Sequence, residues 1–238
     1  MVRTVKEQEY TQRRSAILDM VQQLIYRQGY EQMTIQDVVD ELKISKGAFY
    51  HYFASKQDVL EALLERMIDE AERLLIPIVQ DPALPILVKF QRFFDAINRY
   101  KTDQKTLLLE IVRVWYADDN IIVRHKSRAI GIRRMAPLFS ALIRQGIEEG
   151  IMSTPYSEQM SEVVLSLAAS LSDTLGELLL AFDAERGDMA RVEATIAAYT
   201  NALERVLGMS PNSFTLTDTE TLKAWFVSAP TNAGQHSS

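Results

Sequence analysis

The chain has 238 residues, 47% of them apolar and 24% charged, which allows one large or two small domains with a real core and excludes a disordered chain. It has no cysteine, so disulfides, cysteine nucleophiles and thiolate metal sites are excluded, and a reducing compartment fits. The net charge of −6 excludes a nonspecific nucleic-acid coat, yet the charge is uneven: residues 1–56 carry a net +1 and residues 57–238 a net −7.

The first residues lack the apolar stretch of a signal peptide. No segment approaches the roughly 18 uninterrupted apolar residues of a membrane span. The expectation is a soluble, cytoplasmic protein with no membrane partner.

Ile17, Leu18, Val21, Leu24 and Ile25 recur at helical spacing, and Gly29 then suits a helix stop. Thr34-Ile35-Gln36-Asp37 is a helix-start signal, and Val38, Val39 and Leu42 give the short helix that follows an apolar side. Lys43-Ile44-Ser45 is a tight connection. A second short helix is expected from about Lys46 to Tyr52, with Phe49 and Phe53 turned to the core. Ser55-x-x-Asp58 opens a longer helix with Val59, Leu60, Leu63, Leu64, Met67 and Ile68 on its buried side.

After Pro77, Pro82 and Pro85 the pattern stays helical. Helices are expected near 85–101, 104–117, 120–149, 157–182 and 188–207, the third bent by Pro137. Gly150 and Pro155 bracket a loop, and Gly187 separates the last two helices. No strand pattern and no internal repeat stand out. Residues 208–238 are rich in Ser, Thr, Asn and Pro and read as a mostly flexible tail, with Leu222, Trp225 and Phe226 able to form one docked turn. The fold expected is all-α. Residues 1–56 are expected to form a helix-turn-helix domain, 57–207 a second helical domain, and 208–238 the tail.

Two short helices joined by a short turn have little core of their own and need a longer helix to pack on. The stripe from Ile17 to Ile25 supplies one, which makes a helix-turn-helix whose second short helix fits the major groove. The surface of that helix offers chemistry suited to DNA. Lys46 can bond guanine edges or phosphate, and Ala48 can touch a thymine methyl. Gly47 allows close backbone approach, and the hydroxyls of Tyr50 and Tyr52 can reach phosphate. His51 lies on the same surface. Lys56 sits in the first turn of the next helix, an unfavourable place for a cation unless an anion is nearby.

These residues resemble the TetR/AcrR family signature over about residues 10–65. Gly29-Tyr30, Thr34-Ile35 and Val38-Val39 lead into the run from Ile44-Ser45-Lys46-Gly47-Ala48-Phe49-Tyr50-His51-Tyr52-Phe53 through Lys56 to Leu60. Lys43 departs from the Gly or Asn that many members carry at the turn. A left-handed backbone there would cost about 1 kcal/mol.

The resemblance implies a transcriptional regulator, by default a repressor, that binds a palindromic operator in double-stranded DNA as a homodimer and is released by a small effector. It implies that Thr34 caps its helix and touches phosphate, that Lys46, Gly47 and Ala48 face base edges, and that Tyr50, Tyr52 and Lys56 hold phosphates. Ser45 and His51 complete the candidate DNA-contacting set, and Arg13 and Arg14 are possible additions.

The family's last two long helices pair with their symmetry mates. Here the corresponding stripes are Val163, Val164, Leu167, Leu171, Leu175, Leu178 and Leu179, then Val192, Ile196, Tyr199, Leu203 and Val206. An aromatic-rich stretch suggests a lipophilic effector lined by Phe93, Phe94, Ile97, Leu108, Ile111, Val112, Trp115 and Phe139. No cofactor and no metal site are expected. The three histidines, at 51, 125 and 236, are scattered, and no phosphate loop, dinucleotide fingerprint, nucleophile elbow or HExxH pair occurs, so no catalytic residue is assigned. Asp118-Asp119 would suit a divalent ion but more simply serves a helix dipole, and Glu110 with Arg113 reads as a surface pair.

Overall fold

The computed structural model describes residues 2–116, 120–182 and 188–226, and within them every regular element is a helix. Asp118, Asp119, Gly187, His236 and the tail beyond 226 lie outside the described residues. The helices are α1 (Val2–Gln28), α2 (Ile35–Leu42), α3 (Lys46–Tyr50), α4 (Lys56–Gln80), α5 (Ile86–Asp103), α6 (Lys105–Trp115), α7 (Ile121–Glu148), α8 (Ser157–Ala181), α9 (Met189–Leu207) and α10 (Thr219–Phe226). Eight of the ten follow the sequence pattern closely, and α10 lies in the segment read as a tail. The exception in length is α1, which begins well before its apolar stripe.

The chain divides into two compact units. The first comprises residues 1–72 and 104–131, and the second residues 73–103 and 132–238. These units do not follow the expected division at residue 56. About the first two thirds of α4, all of α6 and the start of α7 belong with the three N-terminal helices.

In the first unit the stripe of α1 is buried as its spacing requires, with Ile17, Leu18, Val21, Leu24 and Ile25 each at most 3% exposed. It meets Val38 and Val39 of α2, Phe49 of α3, Val59, Leu60 and Leu63 of α4, and Leu107, Ile111 and Val114 of α6 in one core. Each such side chain contributes about 1.5–3 kcal/mol by leaving water. Ion pairs at the rim join Arg66 to Asp19 and Lys126 to Glu61.

The second unit is built on phenylalanines. Phe93 and Phe139 pack edge to face with ring centres 4.8 Å apart, and Phe90 and Phe94 do so at 5.1 Å. The connection from α4 to α5 is pinned electrostatically. Lys89, 4% exposed, donates to the Val79 carbonyl at 2.7 Å, placing a cation on the last turn of α4. Glu149 receives the Ile86 N–H at the start of α5 on both oxygens, at 3.0 and 3.2 Å. That backbone bond, with Gln145 and Lys89 behind it, holds the carboxyl of Glu149 below its usual range.

The segment after α9 is not a flexible tail as far as Phe226. Met209, Phe214, Leu216, Leu222 and Phe226 are all buried in the second unit's core. The Phe214 ring stacks on Phe94 at 5.4 Å and meets Phe90 edge-on at 4.9 Å. Gln91 accepts the Thr215 N–H at 3.0 Å and donates to the Thr215 carbonyl at 3.2 Å. Asn98 donates to the Leu216 carbonyl at 2.7 Å, and the Trp225 indole donates to the Thr102 hydroxyl at 3.2 Å. Residues 209–226 are thus a strap laid along α5. Polar composition suggested a mobile end; five well-spaced apolar side chains decide otherwise.

Helix α8 is long and apolar enough to cross a membrane by length and composition, although Ser, Thr, Asp and Glu interrupt its apolar run. Its packing partner in the unit is α9. Few residues of its most apolar stretch are fully buried: Leu167, Leu175, Leu178 and Leu179 are half-buried, and Val163 and Leu180 are exposed.

Candidate nucleic-acid interface

The start of α2 is fixed by a reciprocal cap. The Thr34 hydroxyl accepts the Asp37 N–H at 3.1 Å, and Asp37 accepts the Thr34 N–H at 2.8 Å. Asp37 also takes a bond from Gln28 at 3.0 Å. The Thr34 backbone bond above all, then the Thr34 hydroxyl, holds the Asp37 carboxyl below the ordinary value.

The turn between α2 and α3 is a Schellman closure. The Ile44 N–H bonds the Val39 carbonyl at 3.1 Å, and the Lys43 N–H bonds the Asp40 carbonyl at 3.2 Å. Lys43 is therefore left-handed, with φ 53 and ψ 42. Ser45 then caps α3, its hydroxyl accepting the Ala48 N–H at 3.1 Å.

Helix α3 has five residues, of which Phe49 alone is fully buried. Phe49 and the following Phe53 face the core, and their neighbours face out. Lys46, Gly47, Tyr50 and His51 are exposed, and Ala48 and Tyr52 are half-buried. Gly47 is informative. Its φ is not positive, and a Cβ there would meet only the Ser45 hydroxyl, at 3.9 Å. Nothing within the protein requires glycine at this position, so a requirement would have to come from something approaching from outside. The Thr34 and Ser45 hydroxyls each accept one backbone bond and keep a proton to donate outward.

Lys56 is not a free cation. Its ammonium lies 4.4 Å from the centre of the Tyr30 ring and donates to the Glu31 carbonyl at 3.1 Å, while the Tyr30 hydroxyl donates to the Lys56 carbonyl at 3.3 Å. Burial lowers the Lys56 ammonium from its usual value, against the pull of Glu31 and Asp37. The same burial pushes the Tyr30 phenol up to about 12. The internal partners already account for a cation in the first turn of α4. An ammonium carries three donors, so two remain for an outside anion.

Tyr10 escaped the sequence reading, and the packing of Arg14 was not foreseen. Tyr10 of α1 places its ring 4.8 Å from that of Tyr52 and 5.8 Å from that of His51. Arg14 lies over the Phe53 ring at 5.0 Å. The period that runs through Ile17 and Val21 extends back through Arg14 to Tyr10, and that period was the available signal.

The expected effector lining is divided between the two units. Phe93, Phe94 and Phe139 are core residues of the second unit, with Ile97 packed against them. Leu108, Ile111, Val112 and Trp115 lie on α6 in the first unit, where Ile111 is part of the core and Trp115 packs on it. The phenylalanines fill each other's space, and Phe214 fills more of it. The second unit has a cavity of about 380 Å³ between α9 and the strap, and one of about 440 Å³ on α4 and α5 lined by Leu74, Ile78, Arg92, Ala96, Arg99 and Tyr100 among others. None of the eight expected residues lines either. Among the described residues no group of three or more His, Asp or Glu could hold a metal ion.

Comparison with known proteins gives the same region a family. Residues 17–63 match the model of bacterial regulatory proteins of the tetR family. The HTH-type transcriptional regulator YfiR of Bacillus subtilis, itself uncharacterised, is 22% identical over 200 residues, covering 82% of this chain and 93% of that protein. The HTH-type transcriptional repressor KstR2 of Mycobacterium tuberculosis is 28% identical over 147 residues, 58% of this chain and 68% of the repressor. Among solved structures, a TetR-family transcriptional regulator from Pectobacterium atrosepticum superposes with a TM-score of 0.58 at 18% identity, over 84% of this chain and 96% of that one.

Proposed function

We propose that the chain is a transcriptional regulator of the TetR/AcrR type and not an enzyme, a repressor that reads a palindromic operator as a homodimer. The observation that carries this reading is α3 itself. One phenylalanine anchors it, and Lys46, Gly47, Ala48, Tyr50 and His51 are left on its outer side. Lys46 and Ala48 are assigned to base edges, and Gly47 lets the backbone approach. Thr34, Ser45, Tyr50, Tyr52 and the spare donors of Lys56 are assigned to phosphates. His51 borders both groups.

The dimer is supported by α8, whose apolar face is only partly covered within one chain and leaves Val163 and Leu180 exposed. Two copies joined through α8 and α9 would place two reading helices in successive major grooves, about 34–36 Å apart. Release by a small lipophilic effector is supported by the phenylalanine-rich core of the second unit. Such a molecule would have to enter by parting rings that now fill one another's space.

Selection from a random duplex pool at physiological salt tests the reading. An enriched palindrome is expected, and Lys46→Ala with Tyr50→Ala should abolish binding to it while fold and dimer persist. No enrichment by folded protein, or full affinity in the double variant, would overturn the assignment of α3. A monomer in light scattering at micromolar concentration would overturn the dimer.

A further inference from the structure

Tyr10 stands almost two turns before the buried stripe of α1 begins at Ile17. Its ring, with those of His51 and Tyr52, closes a triangle of aromatic contacts whose sides are 4.8, 5.1 and 5.8 Å. Two of the three rings stand in the turn directly after the reading helix. The third comes from a continuous helix fixed in the core further along.

We propose that Tyr10 is a positioning residue for DNA reading: it holds the Tyr52 and His51 rings in the orientation in which they meet the operator. This rests on the regulator reading above.

Helix α3 cannot do this alone. It is five residues long, its one buried anchor is Phe49, and it ends at Tyr50, with His51 and Tyr52 in the turn that follows. An exposed aromatic side chain swings about its first two torsions, and freezing it on binding costs affinity. Aromatic edge contacts made beforehand lower that cost. Tyr10 is 40% exposed, so its ring contributes little to the core. Arg14, four residues on, lies over Phe53 at 5.0 Å, so one face of α1 follows the end of the reading segment for more than a turn.

The test uses the duplex enriched by the wild-type chain. Tyr10→Phe keeps the ring and should bind within about twofold of wild type. Tyr10→Ala should bind about tenfold more weakly, the size of one or two aromatic pairs, with its thermal midpoint unchanged. In a chain already carrying His51→Ala and Tyr52→Ala, adding Tyr10→Ala should cost nothing more. Wild-type affinity in Tyr10→Ala would overturn the proposal. So would weak binding by Tyr10→Phe, or a cost that persists without the two rings, since either makes Tyr10 a direct contact. A lowered midpoint in Tyr10→Ala would make its role structural and overturn the proposal equally. If wild type enriches no duplex, the regulator reading fails instead. The packing itself is still read without DNA, because Tyr10→Ala should shift the His51 ring resonances of the free protein and Tyr10→Phe should not.

Discussion

Lys43 holds a left-handed backbone at a position where glycine would be free of strain, because the Schellman closure after α2 needs a positive φ there. Lys43→Gly should therefore stabilise the protein by about 0.5–1 kcal/mol, read as a higher denaturation midpoint. Lys56 leads to the opposite expectation. Its ammonium serves Tyr30 and the Glu31 carbonyl, so Lys56→Ala should cost about 1 kcal/mol of stability with no DNA present, whereas a lysine used for phosphate alone would leave the midpoint unchanged. Tyr30 sets an alkaline limit. Its phenol is pushed up to about 12 when folded, against about 10 in an unfolded chain. A buried neutral phenol stabilises fully below pH 10, and that stabilisation is lost as pH rises through 12. Denaturant midpoints at pH 9 and pH 11.5 should differ in wild type, and by less in Tyr30→Phe. At this scale the outward residues of α3 were legible because Phe49 and Phe53 fix its orientation. The internal engagement of Lys56 was not legible, since Tyr30 and Glu31 lie 25 or more residues away and their approach depends on tertiary packing.

The helices were legible nearly to their ends, because Pro, Gly and the Thr34 and Ser55 caps punctuate strong apolar periods. Two elements were misjudged. The first turns of α1 carry charge without an apolar stripe, so nothing marked them as helix. The strap is rich in residues typical of loops, and its apolar positions match no helix or strand period. Only the complementary row on α5, Phe90, Gln91, Phe94 and Asn98, shows where it belongs. The join between α9 and the strap is correspondingly strict. Gly208 has φ 65, and a Cβ on it would stand 2.3 Å from the Ser153 carbonyl oxygen, a backbone atom that cannot swing away. Gly208→Ala should cost about 2–3 kcal/mol, measured by denaturant unfolding, and should loosen the strap. Phe214→Ala should cost about 3–5 kcal/mol by the same measurement while leaving α9 in place.

For the whole molecule the open face of α8 has the most to say. Leu180 is 45% exposed, so a charge there should not disturb the fold of one chain. Leu180→Glu should halve the mass seen in light scattering and weaken operator binding by about 100-fold, since paired half-sites are lost with the second copy. Retention of the dimer would place the interface elsewhere. The helix-turn-helix and the all-helical plan of the described residues were both written in the sequence. The packing of Phe93, Phe94 and Phe139 was not, because aromatic periodicity cannot distinguish rings that border a space from rings that occupy it, and here they fill one another's space.

The strap also has a consequence in time. Residues 209–226 are synthesised after every helix they pack against, so a ribosome that has just completed α9 has made a second unit whose aromatic core is still missing Phe214, Leu216, Leu222 and Phe226. Until those residues emerge, the Phe90 and Phe94 rings have water or a chaperone for company. Premature termination after Leu207 would therefore yield a chain with an intact reading head and an unfinished body, and quality control would meet the defect at the end of translation rather than at its start.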